Sequence, residues 1–281
     1  MPLLFIVVLA VVQGITEFLP ISSSGHLELA WRALDRAEVT LPPEEQRLIL
    51  YVAVHLGSLL AVMVYFWRDV WGMLLGLLRL FIGKGGPDAR LLGMVVLASL
   101  PLVIVGFLAQ GELLETVYSL EVIGWATVGF AILLFIGDRF GLTVRRTEHI
   151  SLTDALFIGL AQVLALLPGT SRSGVTMTAA RFLGFERGEA ARFSLLLSIP
   201  AILGASTLTG IDLYRSGNLQ LGLEATMAAG LAFVSAWLSI ALMMAWLRSA
   251  GFTPFVVYRL AMGVVILWLA YQGGASAQGI F

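Results

Sequence analysis

The sequence predicts an all-α polytopic membrane protein, with six transmembrane helices and two re-entrant helical hairpins arranged as inverted-topology repeats. Three observations lead there. The 281 residues are 59% hydrophobic and only 12% charged, with a mean hydropathy of +0.93. That is more apolar surface than a soluble domain of this length can bury. Apolar stretches long enough to span a bilayer recur along the chain. Finally, two polar breaks share a pattern at a constant offset of 149 residues, which pairs Gln13 with Gln162, Ser22 with Ser171, Ser24 with Ser173 and Gly25 with Gly174.

The chain is read as a single membrane domain in two copies. Residues 2–12 are apolar but too short to cross a hydrocarbon core, which takes about 20 helical residues. Gln13 and Glu17 then share a helix face, Pro20 ends that arm, and Ser22 to Ser24 can cap a second arm from Gly25 to Arg36. This makes 1–36 the first re-entrant hairpin. Its tip is expected deep in the protein, because irregular backbone at membrane depth must be covered by protein or line a cavity. Spans follow at 46–67, 89–110 and 118–140, completing repeat one over 1–140. Repeat two, 151–281, opens with a second hairpin at 151–184. There Pro168-Gly169 breaks the first arm, and Thr170 or Ser171 is placed to cap an arm from Ser173 to Gly184. Spans at 190–212, 222–247 and 254–271 complete it. Three crossings per copy force the second copy to enter from the opposite face, so the two hairpin tips meet near the midplane.

The start of the chain lacks the basic residues and cleavage site of a signal peptide and is kept as mature structure. Arg68, Arg79, Lys84, Arg90, Arg139, Arg145, Arg146, Arg181, Arg187, Arg192 and Arg248 fall on one side, against Arg32, Arg36, Arg47 and Arg215 on the other. The positive-inside rule places the larger group in the cytoplasm, so the first hairpin opens outward. Trp67, Trp71, Trp125, Trp246 and Tyr258 fall near span ends, as interfacial aromatics do. The link 68–90 is read as connecting segment, and Gly72-x-x-x-Gly76 as ordinary packing rather than a dimer motif, which leaves a homodimer open. A net charge of −1 without a basic run gives no nucleic-acid footprint, and zero cysteines exclude disulfides and thiolate chemistry.

Ionisable groups inside a membrane are costly and usually functional, which singles out Glu17, His26 and Arg172. The second break, Pro168-Gly-Thr170-Ser171-Arg172-Ser173-Gly174, combines hydroxyls, a guanidinium able to grip two phosphate oxygens, and free N–H groups at a helix start. It reads as a phosphate cradle. The first break adds a carboxylate, an imidazole and Ser22, Ser23 and Ser24. These can hold a divalent cation, activate a nucleophile and protonate a leaving oxygen. Together they describe a phosphoryl-transfer or phosphate-ester site inside a bilayer. The plain readings are that Ser22 and Ser24 only cap, that His55 lies outside the site, that His149 is solvated, that Arg181, Arg187 and Arg192 set topology, and that Arg259 is an anchor or a phosphate contact.

The run Gln13-x-x-x-Glu17-Phe-Leu-Pro-x-Ser22-Ser-Ser-Gly-His26 and the run Pro168-Gly-Thr-Ser-Arg-Ser-Gly174 resemble the two signature motifs of the bacterial undecaprenyl pyrophosphate phosphatases, the bacitracin-resistance family. The resemblance extends through Phe193-Ser194, Ile199-Pro200, Thr253-Pro254-Phe255 and Tyr258-Arg259. It implies an inner-membrane enzyme whose site opens to the periplasm. Such an enzyme would hydrolyse undecaprenyl diphosphate to undecaprenyl phosphate and inorganic phosphate, with Mg2+ or Ca2+ as cofactor, recycling the cell-wall carrier lipid. On that pattern Glu17, Ser23, His26 and Arg172 are catalytic, Gln13 and Glu17 hold the cation, and Ser22, Ser24, Thr170, Ser171, Ser173 and Gly174 bind phosphate. The nucleophile is Ser23 or His26, with Ser23 preferred because a carboxylate and an imidazole flank its hydroxyl. The chain departs from the pattern at Leu50-Tyr51, where an acidic residue is expected ahead of His55. The rival reading is a transporter or flippase for a lipid phosphate, which would need the cradle but no nucleophile.

Overall fold

The computed structural model describes residues 3–39, 42–109, 118–216 and 219–273, though not the side chains of 44–45, 205–216, 219–220 and 273. These residues form eleven α-helices: α1 (Leu3–Thr16), α2 (Ser23–Arg36), α3 (Glu44–Tyr65), α4 (Trp67–Phe81), α5 (Pro87–Leu108), α6 (Leu120–Phe140), α7 (Leu152–Val163), α8 (Arg172–Phe182), α9 (Arg187–Ser216), α10 (Leu219–Trp246) and α11 (Thr253–Gly273). Among the described residues there is no strand, only an isolated backbone bridge between Arg145 and Phe185.

Among the described residues five helices are long and apolar enough to cross a membrane, over Gln46–Tyr65, Pro87–Leu108, Leu120–Phe140, Leu221–Trp246 and Thr253–Gln272. The chain is therefore a multi-pass membrane protein. The stretch expected to span at 190–212 lies within α9, whose described side chains end at residue 204. The segment 68–90 corrects the sequence reading. Instead of a simple link it carries α4, whose apolar residues recur at helical spacing but stop after 15 residues, short of a crossing.

Helix pairing follows from small residues and apolar faces. Gly14 brings α1 onto α10 so closely that a Cβ would sit 2.6 Å from the Ala232 carbonyl oxygen. Gly159 does the same for α7 on α5, with a Cβ 2.5 Å from the Ala98 carbonyl oxygen. The short arm before each polar break thus docks on a long helix of the other half. Helix α3 packs on α10 and α9, and α6 packs on α11. A large core joins Phe18 at the first break to Met177, Ala179 and Ala180 of α8 and to Phe193 and Leu195–Leu197 of α9.

The basic face is laced together by side chains. Arg181, read from the sequence as a topology determinant, is fully buried instead. Its guanidinium donates to the carbonyls of Asp138, Gly141, Leu142 and Phe185 and so caps the end of α6 and the turn after α8. Arg187 pairs with Asp138 at 2.6 Å, Arg192 with Asp69 at 2.5 Å, and Arg145 with Asp154 at 2.5 Å. His149 is exposed, as expected.

Candidate active site

The two breaks adopt the same local structure. Ser22 has φ 72° and Ser171 φ 69°, left-handed values that are uncommon for a residue with a side chain. Each is a helix N-cap, with Ser22 Oγ accepting from Gly25 N–H at 3.4 Å and Ser171 Oγ accepting from Gly174 N–H at 3.2 Å. Each hydroxyl also pairs with the serine two residues on, Ser24 or Ser173, at 3.2 Å. The cap satisfies the third N–H of α2 and α8. The first two, of Ser23 and Ser24 and of Arg172 and Ser173, have no partner among the described residues. Four donors at two positive helix ends are left for an anion.

The breaks are pinned to each other. Ser24 Oγ accepts from Gly169 N–H at 3.0 Å, and Ser173 Oγ donates to the Leu19 carbonyl at 3.0 Å. Arg259, fully buried on α11, donates to the carbonyls of Gly169 (3.0 Å), Thr170 (2.9 Å) and Pro20 (3.4 Å). The expectation of an anchor or a phosphate contact at Arg259 gives way to a brace across both tips. Thr170 is buried, and its hydroxyl has no partner.

Above this brace lies a polar floor. Arg172 reaches from the second break to Glu17 in the first, with Nη2 3.4 Å from Oε1, while its Nη1 donates to the Ser194 carbonyl at 3.4 Å. Gln13 Nε2 donates to Glu17 Oε2 at 2.7 Å and lies 2.9 Å from His55 Nε2. His55 Nδ1 is 2.7 Å from the Tyr51 carbonyl, an obligate acceptor, so Nδ1 carries the proton and Nε2 accepts from Gln13. His55 Nε2 is also 3.8 Å from Glu17 Oε2, which places this histidine in the site contrary to the sequence reading.

His26 stands one turn beyond Ser23 on the same face of α2. Its Nδ1 lies 2.6 Å from the Ser22 carbonyl, so Nδ1 is the protonated nitrogen. Nε2 accepts from the Tyr258 hydroxyl at 2.7 Å, and the two rings stack at 7° with centroids 5.4 Å apart. Tyr258, expected as an interfacial anchor, is a partner of this histidine. The Ser23 hydroxyl is partly exposed and has no hydrogen bond among the described residues.

The donor set bears on the expected cation. Among the described residues no three His, Asp or Glu side chains come together as a metal cage. What the floor offers is the Glu17 carboxylate and beside it Gln13 Oε1, an orphaned buried oxygen with no partner. Two hard oxygens fit a small cation that keeps waters and takes substrate phosphates as ligands, as Mg2+ does. A Ca2+ ion there would likewise take the rest of its six to eight oxygens from water and substrate.

Residues 6–265 match the family described as bacitracin resistance protein BacA. The undecaprenyl-diphosphatase 1 of Rhodospirillum rubrum is 54% identical over 276 residues, covering 97% of each chain. The undecaprenyl-diphosphatase of Roseobacter denitrificans is 45% identical over 274 residues, covering 97% of this chain and all of the relative. That of Ruegeria pomeroyi is 45% identical over 278 residues, with the same coverage.

Proposed function

The chain belongs to the bacitracin resistance protein BacA family and is an undecaprenyl-diphosphatase; from that premise we propose that the floor between the two breaks is where the diphosphate is held and cut. The observation that carries this is the meeting of Arg172 and Glu17 across the breaks. At 3.4 Å the pair is longer than the 2.7–2.9 Å of a tight charged hydrogen bond. A diphosphate offers the guanidinium two better oxygens and the four free N–H groups an anion. Bound lipid therefore displaces Glu17 from Arg172 and frees the carboxylate.

Ser23 is the nucleophile in this reading. Both ring nitrogens of His26 are engaged, whereas the Ser23 hydroxyl is unengaged at the start of α2, where the helix dipole favours anionic oxygen. Ser23 Oγ attacks the terminal phosphorus and passes its proton to Nε2 of His26, which gives up its hydrogen bond from the Tyr258 hydroxyl as it takes the proton. The bond from phosphorus to the bridging oxygen breaks, and undecaprenyl phosphate leaves. Water then attacks the phosphorus of the phosphoserine, the bond from phosphorus to Ser23 Oγ breaks, the water's protons leave on the inorganic phosphate, and His26 returns its proton to Ser23 Oγ. Arg172 and the N–H groups stabilise charge on the transferring phosphoryl. Mg2+ held by Glu17 and Gln13 Oε1 would neutralise phosphate charge. Ser22, Ser24, Ser171 and Ser173 serve as caps and braces, and the backbone they fix binds the phosphate.

The wider arrangement fits the same reading. Equal break geometry at a fixed offset, and short arms that exchange between halves, support two inverted repeats with re-entrant hairpins and a sixth span in α9. The basic excess supports an inner-membrane enzyme opening to the periplasm.

The test is to trap the intermediate by rapid acid quench of purified protein with undecaprenyl diphosphate labelled at the terminal phosphate, with Mg2+ and with EDTA. An acid-stable adduct absent from Ser23→Ala is expected. An adduct lost in acid but recovered by a parallel alkaline quench, surviving Ser23→Ala and vanishing in His26→Ala, would assign attack to the imidazole. Transport of lipid phosphate with no phosphate release would return the flippase reading.

A further inference from the structure

The reaction uses nothing from α4, yet this helix, too short to cross a membrane, carries a continuous exposed apolar stripe. Trp67, Trp71, Leu74, Leu78 and Phe81 recur at intervals of three or four residues and are 59%, 58%, 49%, 61% and 81% exposed. Ile82 extends the row. The opposite face is spent on packing, through buried Met73 and Gly76. Fifteen residues rise about 22 Å, too little to cross a hydrocarbon core of about 30 Å.

The contacts of α4 fix how it lies. Gly72 faces Asp88, Gly76 sits against the backbone of Ala89, and Arg79 pairs with Asp88 at 3.4 Å. Gly72, Gly76 and Arg79, spread over two turns of α4, thus all meet the first turn of α5, so α4 crosses the start of that span. Asp69 ties it to Arg192, at the start of α9. Helix α4 therefore lies across the point where two long helices begin, level with the membrane edge. Basic residues ring it there. Arg68, Arg79, Lys84 and Arg90 are all exposed, and Arg68 has no carboxylate partner among the described residues but lies 5.4 Å over the Trp67 ring. The polar flank borders a cavity of about 570 Å3 lined by Arg68, Asp69, Asp88, Arg90, Glu148 and Arg192. Apolar stripe on one side, polar cavity on the other and cations at the rim are the marks of a helix lying in the plane of a membrane interface.

We propose that α4 is a docking surface for the anionic headgroup layer of the leaflet on the basic side of the protein. Its Trp and Leu stripe enters the acyl boundary, while Arg68, Arg79 and Lys84 hold lipid phosphates. The claim rests on membrane embedding and the basic-side assignment but not on the phosphatase chemistry.

The chain has no cysteine, so Leu78→Cys and Phe81→Cys each give a single site for a nitroxide. The labelled full-length proteins are reconstituted in phosphatidylcholine, alone and with an equal part of phosphatidylglycerol. Accessibility to oxygen and to a water-soluble nickel complex is then read. Labels that favour oxygen and shun nickel are expected, with several-fold lower nickel accessibility in the anionic bilayer. That difference should vanish when Arg68, Arg79 and Lys84 are all changed to Gln. Free nickel access at both positions in both bilayers would overturn the proposal. So would efficient disulfide cross-linking between copies of the unlabelled Leu78→Cys protein, which would make the stripe a dimer contact. Phosphate release by each protein reports separately on the fold and the reaction.

Discussion

Gln13 and Arg172 together decide what Glu17 can do. The Gln13 amide donates to Glu17 and to His55 at once and leaves its own oxygen buried and unpartnered. Replacing it by Glu puts a second carboxylate within 2.7 Å of Glu17, where two negative charges are tolerable only with a cation between them. Gln13→Glu should therefore lower the Mg2+ concentration needed for half-maximal phosphate release and deepen inhibition by EDTA. An unchanged Mg2+ titration would remove Gln13 from the cation site. Arg172 holds Glu17 with one arm and the Ser194 carbonyl with the other. A lysine keeps the charge but cannot make both contacts and grip two phosphate oxygens. Arg172→Lys should reduce kcat/KM by about 10²-fold, on the scale of losing one preorganised donor to a developing oxyanion. Glu17, Arg172 and the serines were legible in the sequence, because a charge or hydroxyl cluster in an apolar segment stands out against its neighbours. His55 and Tyr258 were not. They reach the site from 42 residues beyond Gln13 and 232 beyond His26, along helices whose other residues look like ordinary span.

At the scale of helices and turns, the breaks are rigid by design. Gly169 adopts φ +90° with its α-carbon facing Ile123, so a Cβ would lie 2.3 Å from the Ile123 carbonyl oxygen. Gly169→Ala meets both a left-handed penalty and a clash with backbone that cannot swing aside. It should cost about 1–3 kcal/mol of stability. A lowered melting temperature in detergent, with lost activity at temperatures where the variant is still folded, would show that the turn also sets the site. The sequence located both breaks to within a few residues, since Pro20, Pro168-Gly169 and the capping serines announce them. It missed α4 because a length criterion for crossing discards a 15-residue helix, and because Arg68, Asp69 and Arg79 give it the look of a connecting segment. The stripe becomes visible only when exposure shows that Trp67, Trp71, Leu74 and Leu78 share a face with nothing packed on it.

Across the whole molecule, the basic side is clamped by carboxylates that must stay ionised. Burial pushes Glu189 up, but hydrogen bonds from the Thr147 hydroxyl and N–H and from Arg192 outweigh it and leave the carboxyl below its usual range. Asp154 is likewise raised by burial and lowered further by Arg145 and Ser151. For a depressed folded pKa the stabilisation is complete above the unfolded values, about 4.3 for Glu and 3.9 for Asp. It drains away as pH falls below them. The melting temperature should thus hold between pH 7 and 5 and fall steeply below about pH 4. Asp154→Asn with Glu189→Gln should melt lower at neutral pH and show a flatter acid limb. An acid limb unchanged in that double variant would place the responsible carboxylates elsewhere.

The constant offset between the breaks has one more consequence. Position for position, Ser23 corresponds to Arg172 and Glu17 to Leu166. The first break holds the carboxylate and the free hydroxyl, and the second holds the guanidinium. Two first copies facing each other would oppose carboxylate to carboxylate with nothing to grip phosphate, and two second copies would bring guanidiniums together with nothing to attack it. At these two positions the halves are complementary, and a substitution at Glu17 or Ser23 removes a group of which the other half holds no copy.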